Sequence, residues 1–181
     1  MAGKLIIKFR DRKVLNLLKR IKDELGRPRE ALEIVGMVLK DSIDENFRAG
    51  GRPAPWTKSK RAANQSGQTL VDTTRLENDI DYRVTGEKVL IGTPTKYGPL
   101  HHFGGVIKPK NAKMLAWVIK GERPTSKEGW AEARKEGRAV FAKQVTIPAR
   151  PFIMAQDEDW GEICRQLFEY LVMKGGNVAE N

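Results

Sequence analysis

Apolar residues recur at Val14, Leu17, Leu18, Ile21 and Leu25, a spacing of three and four that puts them on one side of a helix, and Gly26 follows where such a helix stops. Pro28 then opens a second helix at a position that tolerates its missing N–H. Leu32, Val35, Leu39, Ile43 and Phe47 form the apolar stripe of that helix up to Gly50 and Gly51. Ahead of both, Lys4 to Phe9 reads as a short strand. Near the far end, Trp160, Ile163, Cys164, Leu167, Phe168, Leu171 and Val172 predict another amphipathic helix, stopped by Gly175 and Gly176.

The pattern changes in between. Arg52 to Gln68 holds Pro53, Pro55, Ser59, Asn64, Ser66 and Gly67 but few apolar residues, so it reads as a long loop anchored by Trp56 and mobile elsewhere. A short helix ending near Ile80 is expected next, with Asp72, Thr73 or Thr74 as its cap; Thr74 and Glu77 have capping-box spacing. Tyr82 to Val84 and Val89 to Gly92 alternate as strands around a turn near Gly86. A further strand pair is expected at Met114 to Ile119 and Ala139 to Ile147. The polar stretch between them, Lys120 to Arg138, has Trp130 as its bulky aromatic and reads as an extended hairpin tip or flexible insertion.

These elements predict an α+β fold, with N-terminal helices and a C-terminal helix packed on a largely antiparallel β-sheet and joined by long loops. The expected organisation is one domain over residues 1–181: a basic helical part (1–49), a loop (50–70), a sheet region (71–155) and the C-terminal helix (156–174). A chain of 181 residues is long enough to bury a proper core.

Composition narrows the function classes. Apolar runs fall far short of the ~20 residues of a membrane span, and Leu5, Ile6 and Ile7 make too short an apolar core for a secretory leader, so export by a cleaved signal is not expected. Cys164 is the single cysteine, which excludes an intramolecular disulfide and a thiolate-rich metal site and suits a reducing cytoplasm. The net charge of +10 is unevenly spread: ten basic against three acidic residues up to Arg29, no acid from Phe47 to Val71, and six acids from Pro151 onward. Such a division suits head-to-tail contact between copies, or contact with an acidic partner such as nucleic acid.

Candidate chemistry is sparse. The sequence has no glycine-rich phosphate loop, no paired-His zinc helix and no Gly-x-Ser-x-Gly elbow. His101 and His102, if placed on a strand, would point to opposite faces and share no metal. Cys164 on an apolar helix face reads as a small buried hydrophobe. Asp157, Glu158 and Asp159 open a helix, where acids favour the macrodipole. No enzyme, cofactor or metal is expected, and zinc-finger, RNP-like and helix-turn-helix patterns are absent.

Four segments in order carry more information: "GGRPAPW" at Gly50 to Trp56, "GQTLVDTTRLENDI" at Gly67 to Ile80, "VLIGTPTKYGPLHHFGG" at Val89 to Gly105, and "IPARPFI" at Ile147 to Ile153. Together they resemble the phage virion morphogenesis family, the tail completion group that includes the G protein of Mu-like phages. The resemblance spans roughly Lys40 to Leu171; Thr74 stands where that family carries Gly after "LVDT", and Pro99 and His101 alter the run before "FGG".

The resemblance implies a structural protein of the virion neck or tail end, assembled in the bacterial cytoplasm, that completes the tail and joins it to the head. Its expected partners are further copies of itself in a ring and other neck, connector or tail proteins, with packaged DNA nearby and no membrane. Gly104 and Gly105 would permit positive φ, and Pro148 and Pro151 would hold an extended segment before Phe152 docks. Interface candidates are Arg52, Trp56, Lys58, Lys60 and Arg61 in the loop, His102 and Phe103 before the glycines, and Trp130 in the insertion. The alternative is a basic DNA-binding protein of phage or prophage origin, whose affinity would fall steeply with salt.

Overall fold

A computed structural model describes residues 5–7, 11–26, 28–64, 66–119 and 121–176. The chain forms two compact units, Met1–Phe103 with Arg150–Asn181, and Gly104–Ala149.

In the first unit the helical stripes become the core. Helix α1 (Arg12–Leu25) is capped by Asp11, whose side chain accepts from Val14 N, and ends at Gly26 with φ +63°, a left-handed conformation that glycine adopts without a Cβ clash. Helix α2 (Pro28–Ala49) buries Leu32, Val35, Leu39, Ile43 and Phe47 as its spacing predicts. It is the central element, packing on β2 and β3 by one side and on α1 and α7 (Asp157–Gly176) by another. Gly36 makes the sheet contact possible: a Cβ there would lie 2.2 Å from the Tyr82 ring. The sheet is antiparallel in the order β1 (Leu5–Ile7), β3 (Lys88–Thr93), β2 (Asp81–Thr85). Gly86, φ +57°, turns the β2–β3 hairpin, in which Thr85 faces Lys88. Lys4, Lys8 and Phe9, the ends of the expected first strand, lie outside the described residues.

Several expectations are corrected. Helix α7 packs chiefly on α1 and α2 instead of lying on the sheet, and it continues through Gly175 and Gly176. Phe168 and Val172, read as part of its apolar face, are exposed. The Arg52–Gln68 segment is not held by Trp56 alone. It contains α3 (Lys60–Asn64), Ser59 N donates to Thr69 Oγ1, and Arg61 Nη2 donates to the carbonyls of Gln68 and Val71. The short helix appears as α4 (Arg75–Asn78), but no capping box forms. Thr74 is left-handed, φ +56°, and its hydroxyl donates to Thr73 O and accepts from Asn78 Nδ2. His101 and His102 lie in α5 (Gly98–Phe103), not on a strand, because Gly98 and Pro99 open a helical turn.

The second unit contains two separate antiparallel ribbons, β4 (Gly105–Ile107) with β7 (Val145–Ile147) and β5 (Leu115–Val118) with β6 (Ala139–Ala142). The run Ala139 to Ile147, expected as one strand, is thus two strands with different partners. The polar insertion folds into α6 (Lys127–Lys135), capped by Ser126, which accepts from Gly129 N. Gly104, φ +72°, packs against the backbone after β7, where a Cβ would meet Ala149 N at 2.7 Å.

Candidate assembly surface

The loop candidates divide into those that hold the fold and those that face outward. Arg52 turns inward: its Nε donates to Asn46 Oδ1 at 2.9 Å, and Nη2 donates to the Ser42 carbonyl and hydroxyl at 2.8 Å each. Asn46, fully buried, donates to the carbonyls of Phe152 and Met154, and Asp159 accepts from Ser42 Oγ and Gln156 N. This network ties α2 to the loop and to the start of α7, so a carboxylate expected only to favour the helix dipole also has a buried bonding role. Trp56 sets its ring edge-on to Phe47, 5.4 Å between centroids, and donates from Nε1 to Pro151 O. Arg61 is occupied by Gln68, Val71 and Asp72. Lys58 and Lys60 are exposed.

His102 is buried between Phe103 and Phe152, with ring centroids 4.6 and 5.1 Å away, and its Nδ1 accepts from Phe152 N at 3.3 Å. Desolvation pushes its pKa down, so the ring is neutral and Nδ1 is an acceptor. His101 shifts in the same direction, through burial first and the nearby Arg150 charge second. Phe103, beside them, is 65% exposed. A buried His102 and an outward Phe103 thus stand side by side just before Gly104 and Gly105. Among the described residues no group of His, Cys, Asp and Glu is arranged to hold a metal.

Trp130 lies in the other unit, half-buried on α6, with its ring edge-on to Phe141 at 5.9 Å. Around it apolar surface is left open. The second unit's buried hydrophobics among the described residues are Ala133 and Ala139, whereas Val106, Ile107, Met114, Trp117 and Ile119 are exposed. The two ribbons also leave both of their edges unpaired among the described strands. A two-stranded ribbon in water is marginal by itself, and an open edge is a template for another strand. Sequence reading pointed to Trp130 but missed Val106, Ile107 and Trp117; the signal was present in strand-like runs without a matching core.

The sequence profile of the phage virion morphogenesis family matches residues 9–172. This chain belongs to that family. It is 25% identical over 157 residues to "Mu-like prophage FluMu G protein 2" of Haemophilus influenzae, covering 87% of this chain and 88% of that protein. No solved structure matches. As a member of the phage virion morphogenesis family, the chain is a phage tail and virion structural protein. No helix among the described residues is long and apolar enough to cross a membrane.

Proposed function

We propose that the chain completes the phage tail and joins it to the head as a subunit of a homo-oligomer, with residues 104–149 as the part that neighbouring subunits cover. The observation that carries this reading is how little apolar surface the second unit buries: among the described residues Ala133 and Ala139 are its buried hydrophobics, while Val106, Trp117 and Ile119 are exposed. A virion protein that buried this surface against its neighbours would gain about 25 cal/mol per Å² of apolar area and satisfy the open ribbon edges. Resemblance to a G protein of a Mu-like prophage supports placing this assembly at the tail end. The outward Lys58 and Lys60 fit a second, electrostatic contact.

The test is a phage lacking the gene, complemented in trans. Electron microscopy of lysates should show filled heads and polymerised tail tubes that stay separate, and wild-type protein should restore joined virions. Trp117→Asp with Ile119→Asp should abolish joining, and Lys58→Glu with Lys60→Glu should reduce it. Arg52 and Arg61 are left untouched because both hold the loop. Joined, infectious particles without the protein would overturn the assignment. Empty heads would transfer it to DNA packaging. The second reading, DNA binding, rests on the net charge of +10 and the ten Lys and Arg against four Glu in residues 104–149. It requires DNA affinity to fall steeply with salt, whereas subunit association would follow protein concentration.

A further inference from the structure

In the first unit a cleft of about 360 Å³ opens between the loop, α4 and α5. Its floor contains Arg150, which is 4% exposed. The Arg150 Nε donates to Thr57 O at 2.9 Å and its backbone N donates to His101 O at 2.9 Å, so both ends of the residue are fixed. Its two Nη groups have no hydrogen-bond acceptor among the described residues, and no carboxylate pairs with the guanidinium. A buried charge without a counter-charge is costly, and proteins retain one where something else supplies the opposite charge.

His101 lines the same cleft, and its Nδ1 is buried with no hydrogen-bond partner. The other two arginines of the cleft are already matched, Arg61 by Asp72 at 3.2 Å and Arg75 by Asp79 at 3.5 Å. Asp72 also lines the cleft, which disfavours a doubly charged guest. Leu70 and Leu76 add an apolar wall. The backbone here is held against its preference, with Leu70 at φ +66° and Thr74 at φ +56°, as is common where a fold positions a binding site.

We propose that this cleft is a carboxylate site, in which the Arg150 Nη pair takes the two oxygens side by side and His101 Nδ1–H donates to one of them. The carboxylate is either a Glu or Asp side chain of another protein chain or a small free acid. The planar guanidinium fork fits a carboxylate in a two-bond arrangement. The proposal is independent of the tail-joining reading, since the second unit takes no part in it.

The test uses the full chain, with the imidazole signals of His101 and His102 followed by NMR as sodium acetate, N-acetylglutamate amide, inorganic phosphate or sodium chloride is added. The His101 signals should shift saturably with the two carboxylates while His102 stays in place. His101→Ala, which removes a ring that makes no side-chain hydrogen bond, should weaken the binding seen by calorimetry about tenfold, as loss of one charge-assisted bond predicts. Arg150→Lys keeps the charge and loses the fork, and should weaken it at least as much. Tighter binding of N-acetylglutamate amide than acetate would assign the site to a protein side chain; equal binding would assign it to a free small acid. Chloride or phosphate moving His101 as strongly as acetate, or unchanged affinity in a folded His101→Ala protein, would overturn the site.

Discussion

The two units solve the same problem in opposite ways. Residues around α2 surround Phe47, Phe152, Ile43 and Ile163 completely, and the polar groups that become buried there, Asn46, Ser42 and Asp159, bond to one another or to backbone. The second unit has strands and a capped helix but buries two alanines among its described hydrophobics. Backbone conformation follows the same division. In the first unit Ser66, Leu70 and Thr74 adopt positive φ, whereas in the second every positive-φ residue among those described is glycine. The three side-chain-bearing residues accept the cost of a left-handed backbone, whereas glycine has no such cost. Foldability is thus concentrated in one unit, and unfinished surface in the other.

The largest effect that would break this contrast comes from paired truncations. Phe47→Ala removes a ring that meets Trp56 and Phe152, and should cost about 3–5 kcal/mol in chemical denaturation of the purified subunit. Trp117→Ala should cost the isolated subunit less, because Trp117 is 38% exposed where Phe47 is fully buried, yet it should lower the yield of joined virions sharply. Equal losses of subunit stability would show that the second unit has a core of its own.

Two helical glycines give a sharper, smaller test. Gly36→Ala drives a methyl into the Tyr82 ring and should destabilise by about 1–3 kcal/mol through overpacking. Gly161→Ala on α7 meets nothing within 4 Å, and should stabilise by about 0.5–1 kcal/mol through helix propensity. Urea midpoints distinguish the two signs directly.

Acid acts on one unit selectively, since both histidines, His101 and His102, belong to the first. Each has its folded pKa lowered by burial, below its usual value of about 6.5. The unfolded chain therefore binds more protons in that range. The stabilisation is complete above about pH 6.5 and is lost as pH falls from there through the folded values. Denaturation midpoints should drop as the pH falls below about 6.5, and His102→Gln should flatten part of that slope. A slope unaffected by removing His102 would mean that burial does not hold its ring neutral.

Much of the first unit was readable in the sequence because helical spacing reports burial directly: Leu32, Val35, Leu39, Ile43 and Phe47 are all buried. The hairpin followed from alternation around Gly86. What stayed hidden were contacts between residues distant in the chain, such as Arg52 with Ser42 and Asn46 or Trp56 with Pro151, which turn a polar, proline-rich stretch into an anchored one. Side-chain direction stayed hidden for the same reason. Lys58 and Lys60 face solvent, but the charge of Arg52 is spent inside, and charge alone does not reveal direction. Helix α6 could have been found from Ser126 as cap, Glu128 in the first turn, and Arg134 and Lys135 in the last.

The smallest effect concerns Thr74, a β-branched residue that holds φ +56°. For a β-branched residue a left-handed backbone costs about 1–2 kcal/mol. Thr74→Gly removes that strain but adds freedom to the unfolded chain, worth about 0.5–1 kcal/mol in the other direction. Its hydroxyl bonds to Thr73 O and Asn78 Nδ2 are exposed, so losing them costs little. A net gain of about 0.5 kcal/mol is expected. The mirror change in the second unit is Gly137→Ala, where φ is +68° and nothing crowds the new methyl; it should lose about 1 kcal/mol from backbone strain alone. Measured by denaturation, the two substitutions should have opposite signs. A loss in Thr74→Gly would mean that the hydroxyl bonds to Thr73 and Asn78 outweigh the backbone strain.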